Sequence, residues 1–275
     1  MGTVPQSQPP LSGRVALVTG VGRRRGIGFA VARRLAGMGA DLFLTHYRPH
    51  DELQPWGADD PAELRAALIT EFPGTRVVDE GADLADPGAP RAVVDAAVAA
   101  FGHLDILVCN QARSGGDGAL ADLDAQMLDG HWHVDARATL LLTQEFARRH
   151  DGRKGGRVVW MTSGQNLGPL RGEVAYAAAK AALAGVLPTV ADELVDSGIV
   201  LNAVNPGPVD TGYLSVDTAD RSPEIVRAVR AAFPGGRPGE PDDPARLIAW
   251  LVSDEARWVV GQVIDSEGGF RRSRW

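Results

Sequence analysis

Apolar residues cluster in seven short segments that predict strands, 15–19, 41–45, 76–80, 104–109, 157–162, 199–204 and 262–265, and the first of them, Val15 to Thr19, is an apolar run. A strand that is apolar without alternation is covered on both faces, the usual condition of a parallel sheet. The segments between them carry apolar residues at spacings of three and four. They predict helices over about 26–38, 61–72, 87–101, 121–149, 176–197 and 242–253. Strands and helices alternating in this way predict an α/β protein, with helices on both faces of a seven-stranded parallel sheet.

Two stretches break the rhythm. "HYRPHDELQPWGADD" at 46–60 is a long connection after the second strand, and 211–240 holds only a short helix, at 223–232. Both follow strand C-terminal ends, where open α/β sheets bind ligands, and long insertions there are often functional. The segment 211–240 is expected to be a substrate lid, while 46–60 reads equally as a surface loop. Residues 1–10 read as a disordered arm. No proline- or serine-rich linker divides the remainder, so 11–275 are expected to form a single doubly wound domain.

The first strand runs into a glycine turn, "TGVGRRRGIG", and then a helix. In that βαβ setting Gly20, Gly26 and Gly28 allow a tight turn, close approach of backbone to a phosphate, and close helix–strand packing. The free amides of the helix N-terminus then face an anion. This is the Rossmann-type dinucleotide site. The second strand ends in Thr45, His46, Tyr47 and Arg48 with no acid, and the turn itself carries Arg23, Arg24 and Arg25. Guanidinium matches phosphate geometry, so the pattern favours NADP(H) over NAD(H). Three consecutive side chains cannot all point inward. Asp51 and Glu52, a few residues on, are carboxylates that weigh the other way.

Tyr176 and Lys180 stand four residues apart in a predicted helix, and Ser163 stands 13 residues before the tyrosine. Residues at i and i+4 share a helix face. Lowering a tyrosine pKa of about 10 by three units takes roughly 4 kcal/mol of preference for the phenolate. An ammonium about 4 Å away, at an effective dielectric of about 20, supplies an interaction of that order. The spacing can therefore make Tyr176 an acid/base.

Net charge is −7, which disfavours a nucleic-acid partner. The lone Cys109 excludes an intrachain disulfide and lies in an apolar strand, as an inert thiol would. No apolar run of 18 residues and no signal-peptide pattern is apparent, so a soluble, cytoplasmic protein without a membrane partner is expected. The six histidines lack metal-ligand spacing, so no metal is expected.

The chain resembles the short-chain dehydrogenase/reductase family from about Gly13 to Gly269. The resemblance rests on "TGVGRRRGIG", "GAD" at 81–83, "LDILVCN", Ser163 with Tyr176 and Lys180, "NPGPVDTGY" and "VVGQVIDSEGG". It implies a nicotinamide cofactor and hydride transfer at a carbonyl or alcohol carbon. Tyr176 would be the general acid in ketone reduction, and Lys180 would lower its pKa and hold the nicotinamide ribose. Ser163 would bond the substrate oxygen. Asp83 matches the adenine-contacting acid, with Leu84 beside it, and Asn110 the asparagine after the fourth strand. Ile27 joins the glycine-turn contacts, and Pro206, Gly207, Val209 and Thr211 lie beside the nicotinamide. Gln165 and Tyr213 are expected on the substrate side.

The chain also departs from the family pattern. Five residues separate Gly20 from Gly26 where three are common. Gln111 and Ala112 follow Asn110 where Ala-Gly is usual. Asp135 falls where the family has an asparagine that holds a water of a proton relay; it could serve in that relay or be a tolerated exchange. Enoyl-acyl-carrier-protein reductases share a lengthened turn but space tyrosine and lysine seven apart, and position 173 here is glutamate. The expected activity is NADP(H)-dependent interconversion of a ketone and a secondary alcohol, on a small-molecule or acyl-thioester substrate. 3-Oxoacyl-acyl-carrier-protein reductases are one resemblance within that class. A cofactor-binding sensor without turnover and an enoyl reductase are the alternatives. The resemblance also implies a homotetramer built on the helices at 121–149 and 176–197, with Leu140, Leu141, Leu142, Leu183 and Leu187 on their apolar faces.

Overall fold

Successive residues of the first strand pack on opposite sides of a sheet. In β1 (Val15–Val18), Ala16 and Val18 join one buried cluster while Val15 and Leu17 join another. The same two-sided burial holds in β2 (Asp41–His46), β4 (Ile106–Cys109), β5 (Gly156–Met161) and β6 (Ile199–Asn205). This explains why these strands carry apolar residues in succession. With β3 (Val77–Gly81) and β7 (Val263–Asp265) they form one parallel seven-stranded sheet in the order β3-β2-β1-β4-β5-β6-β7. Val18 stands level with Leu44 on one side and Val108 on the other. The strand order reverses between β1 and β4, so the crevice for a ligand opens above their C-terminal ends.

This computed structural model describes residues 8–215, 217–219 and 222–272. Seven of the ten residues expected as an N-terminal arm lie outside that range. From Pro9 onward the chain is anchored. Ser12 donates to the Pro9 carbonyl, Leu11 donates to Met38, and the Leu11 side chain is fully buried.

Helices α1 (Ile27–Gly37), α3 (Pro61–Glu71) and α9 (Asp242–Leu251) cover one face of the sheet. Helices α4 (Ala89–Phe101), α6 (Ala138–Arg149) and α7 (Val174–Val195) cover the other. Short helices α2 (Arg48–Asp51), α5 (Ala125–His131) and α8 (Pro223–Ala231) complete the set. Helix α7 is long and apolar enough to cross a membrane by length and composition, contrary to the expectation of no such run. Here its inner face packs into the core through Leu183, Leu187 and Ala191.

The single helix expected over 121–149 is a correction. Asp124 caps α5 by accepting from the Met127 amide at 2.8 Å, which starts the helix at Ala125. A π-helical turn, Trp132–Arg137, then separates α5 from α6. Such a turn shifts the facing of the residues after it and is frequent at functional sites. Of the leucines named on these helices, Leu142, Leu183 and Leu187 are buried in the protein's own core. The exposed apolar side chains near these elements are instead Leu128, Trp132, Val186 and Val195.

Helices α1 and α9 are pinned by Arg34 and Asp242, which pair in a two-pronged way. The Arg34 guanidinium holds the Asp242 carboxyl below its usual range. A carboxylate depressed in the folded state stabilises fully above its unfolded value of about 4, and that contribution is lost as pH falls. The pair is partly solvated, so Asp242→Asn is expected to cost under about 1 kcal/mol at neutral pH. Urea unfolding should show this gap closing as pH drops below the ordinary aspartate range. A gap that persists in acid would mean that packing, and not charge, holds the contact.

Candidate active site

The loop after β5 and the first turns of α7 bring Ser163, Tyr176 and Lys180 together. Ser163 is in extended conformation at the head of a short 3-10 turn, and its hydroxyl is close enough to act on the Tyr176 phenol. Tyr176 is held at the N-terminus of α7 by Asp117, which accepts the backbone amides of Ala175 at 2.9 Å and Tyr176 at 2.8 Å. Free amides at a helix N-terminus attract a carboxylate, so Asp117 fixes where the helix begins. One turn on, the buried Lys180 donates to the Met161 carbonyl at 3.0 Å.

The electrostatics differ from the expectation. The Lys180 ammonium lies over the Tyr176 ring, 5.6 Å from its centre. Loss of hydration pushes the Tyr176 pKa well above its ordinary value, and Asp135 adds to the rise. The Ser163 hydroxyl opposes it. Lys180 itself is pushed down by burial, partly offset by Asp135. Helical spacing sets which face the two side chains share, and burial with Asp135 sets the direction in which the phenol shifts.

Asp135, fully buried in the π turn, is part of the site. One carboxylate oxygen accepts the Arg113 amide at 2.9 Å and lies 4.0 Å from the Lys180 ammonium. The other meets Nδ1 of His131 at 3.0 Å. Asn110 donates to the carbonyls of Thr19 and Gly20 at 3.0 and 3.1 Å, tying β4 to the glycine turn. Gln111 bridges Thr19 to Thr139, so a buried polar link replaces the alanine of the family pattern.

The glycine turn is closely packed. A Cβ on Gly28 would stand 2.6 Å from the Gly20 oxygen, and one on Gly20 would meet Asn110 at 2.9 Å. No side chain caps α1 at Gly26, which leaves its first amides open to an anion. These residues fit the diphosphate of a dinucleotide.

Of the three arginines, Arg23 meets both insertions, while Arg25 reaches only Ser215 of the second, at 2.8 Å. Arg23 donates to the Thr211 carbonyl, lies 3.8 Å from Asp51 and stacks on Trp56. Arg24 and Arg25 are exposed and line a separate groove of about 680 Å³ with Phe29, Arg33 and Arg230. Two further expected cofactor residues are otherwise engaged: His46 pairs with Asp79 at 3.4 Å, and Arg48 with Glu52 at 2.9 Å. Tyr47 and Asp83 meet at a hydrogen bond. Leu84 belongs to the core, and Ile27 packs against it.

The two insertions touch. Gly212 adopts φ 123° and leaves space for Trp56, whose Cβ would be 2.8 Å from a Cβ at that position. Pro206 and Gly207 follow β6, Gly207 bonding Asn205 at 3.0 Å, and Val209 bridges to Gly239. On the substrate side both amide atoms of Gln165 are buried without a partner, and Tyr213 packs against a small cluster with Leu214 and Phe233. Arg272, paired with Glu267, lies against Gly164 and Gly168 beside Ser163. Sequence reasoning missed Asp117, His131, Trp56 and Arg272. The His131–Asp135 spacing of four was the only available signal.

The family model described as enoyl-(acyl carrier protein) reductase matches residues 20–271. The uncharacterized oxidoreductase YjdA of Bacillus subtilis is 40% identical over 267 residues, covering 94% of this chain and 97% of that protein. The NADPH-dependent aldehyde reductase-like protein of Arabidopsis thaliana chloroplasts is 34% identical, covering 96% and 97%. Among solved structures, a short chain dehydrogenase from Burkholderia cenocepacia in complex with NADP is 35% identical with a TM-score of 0.79, covering 94% of this chain and 98% of that one. With the doubly wound sheet and the serine, tyrosine and lysine at its crevice, this chain is an oxidoreductase of the short-chain dehydrogenase/reductase family.

Proposed function

We propose that the protein reduces a ketone or aldehyde to an alcohol with NADP(H), or runs the reverse reaction. The convergence of Ser163, Tyr176 and Lys180 at the crevice carries this reading. The nicotinamide, when bound, supplies or takes the hydride. The Ser163 and Tyr176 hydroxyls are neighbours, and both can donate to a carbonyl oxygen placed between them. The raised Tyr176 keeps its proton through the neutral range, which suits donation to a developing alkoxide. Oxidation needs the phenolate, so that direction should gain rate as pH rises.

Glycine-turn amides would hold the diphosphate, and Arg23 is the cation placed to meet a 2′-phosphate. Asp51 beside it favours a ribose with free hydroxyls, which makes the pair a direct test of preference. Charge-assisted bonds contribute about 1.5–3 kcal/mol, so Arg23→Ala is expected to weaken NADPH binding about tenfold or more, and NADH far less. Fluorescence titration reads both. Equal losses would show that Arg23 does not read the phosphate.

NADPH consumption across a panel of ketones, aldehydes, acyl thioesters and enoyl thioesters tests the function. Oxidation with carbonyl substrates supports the reading. Turnover of enoyl thioesters alone would replace it with double-bond reduction, and binding without turnover on the whole panel would favour a sensor.

A further inference from the structure

Asp117, His131, Asp135 and Lys180 make a closed circuit around Tyr176. One oxygen of Asp117 accepts the Tyr176 amide at 2.8 Å and lies 3.8 Å from Nε2 of His131. That same nitrogen is 3.2 Å from the Gly115 carbonyl, while Nδ1 is 3.0 Å from Asp135. Asp135 closes the circuit at Lys180, which shares α7 with Tyr176. His131 is 1% exposed, and its ring meets that of Tyr176 edge to face, with centroids 5.9 Å apart.

Every oxygen that His131 faces belongs to a carboxylate or a carbonyl, groups that only accept. A neutral imidazole carries one donor and one acceptor, so it would aim a lone pair at one of them. A ring with a proton on each nitrogen satisfies both sides. Two carboxylates, one imidazolium and one ammonium then sum to zero in a space from which water is excluded, where an uncompensated charge is costly.

We propose that His131 is a positioning residue for the tyrosine acid/base. Its doubly protonated ring offsets the charge of Asp135 and holds the phenol ring, so that the carboxylate suppresses the Tyr176 phenolate less than it would unpaired. Other charged or titratable groups facing the assembly are Arg113 and His50 on the loops above it, Glu173 at the head of α7, Tyr213 from the lid segment and Cys109 on β4.

Ring-nitrogen NMR of the full chain labelled with ¹⁵N-histidine tests this without cofactor or substrate. The His131 signals, assigned by their loss in His131→Phe, should show two protonated nitrogens. Asp135→Asn should leave that ring with one proton, which serves as the test if His131→Phe does not fold. One bare nitrogen in the native chain overturns the proposal. The kinetic arm rests on the reductase reading. His131→Phe should lower kcat about tenfold or more with KM within about threefold, and move the basic limb of alcohol oxidation to higher pH. Adding Asp135→Asn should restore kcat to within about threefold of Asp135→Asn alone, because the unpaired charge is gone. An unmoved limb, or a double variant no faster than His131→Phe, overturns it. A native chain with no turnover on any substrate defeats the reductase reading, while the NMR result still decides His131.

Discussion

Tyr176→Phe is expected to lower turnover by about 10²–10⁴, the usual contribution of a positioned acid or base. The substitution removes one oxygen and keeps the ring, so the edge contact with His131 and the face over Lys180 persist. NADPH binding should therefore stay within about threefold, because the phenol contributes at most one of many contacts to the nucleotide. Stopped-flow reduction and fluorescence titration separate the two. Turnover retained within about tenfold would remove Tyr176 from the acid/base role and pass it to Ser163 or a water.

Gly28→Ala should damage the other half of the site. The added methyl would stand 2.6 Å from the Gly20 carbonyl oxygen and 2.7 Å from the Asn110 amide. Both neighbours are fixed, one as backbone and the other by two hydrogen bonds into the glycine turn. Overpacking of this kind typically costs about 1–3 kcal/mol, and here the turn that approaches the diphosphate is what must move. NADPH affinity is expected to fall about tenfold or more, with a melting point lower by several degrees. Gly74→Ala, with nothing within 4 Å of the added carbon, is the control. An affinity for Gly28→Ala within about twofold of the native chain would mean that the turn adapts and does not set the approach.

The proposed tyrosine relay and the glycine turn meet in Gln111. Its amide reaches Thr139 at 2.9 Å, and Thr139 bonds the carbonyl of Asp135 at 2.8 Å. Its other end bonds Thr19, which caps the β1 end of the crevice. A glutamine where alanine is usual thus replaces an apolar contact with a polar brace between the two halves.

The sequence by itself determined the doubly wound sheet, because burial on both faces places apolar residues in succession along a strand and that signal is local. It determined the glycine turn for the same reason: Gly20, Gly26 and Gly28 are spaced within one βαβ unit. It also determined that Tyr176 and Lys180 share a helix face. What only the tertiary structure decided lies in contacts between segments far apart in the chain. The direction of Arg23, as against Arg24 and Arg25, depends on Thr211 and Trp56, which approach from two different insertions. His46 and Arg48 fit a phosphate by type but turn to Asp79 and Glu52. The helix over 121–149 breaks at a π turn, a local change of phase that counting apolar residues over the whole stretch does not register. The titration of Tyr176 divides in the same way. Spacing fixes the angle between two side chains on a helix, whereas the pKa of the phenol follows from how much water the rest of the fold removes and from Asp135, brought to it by another element.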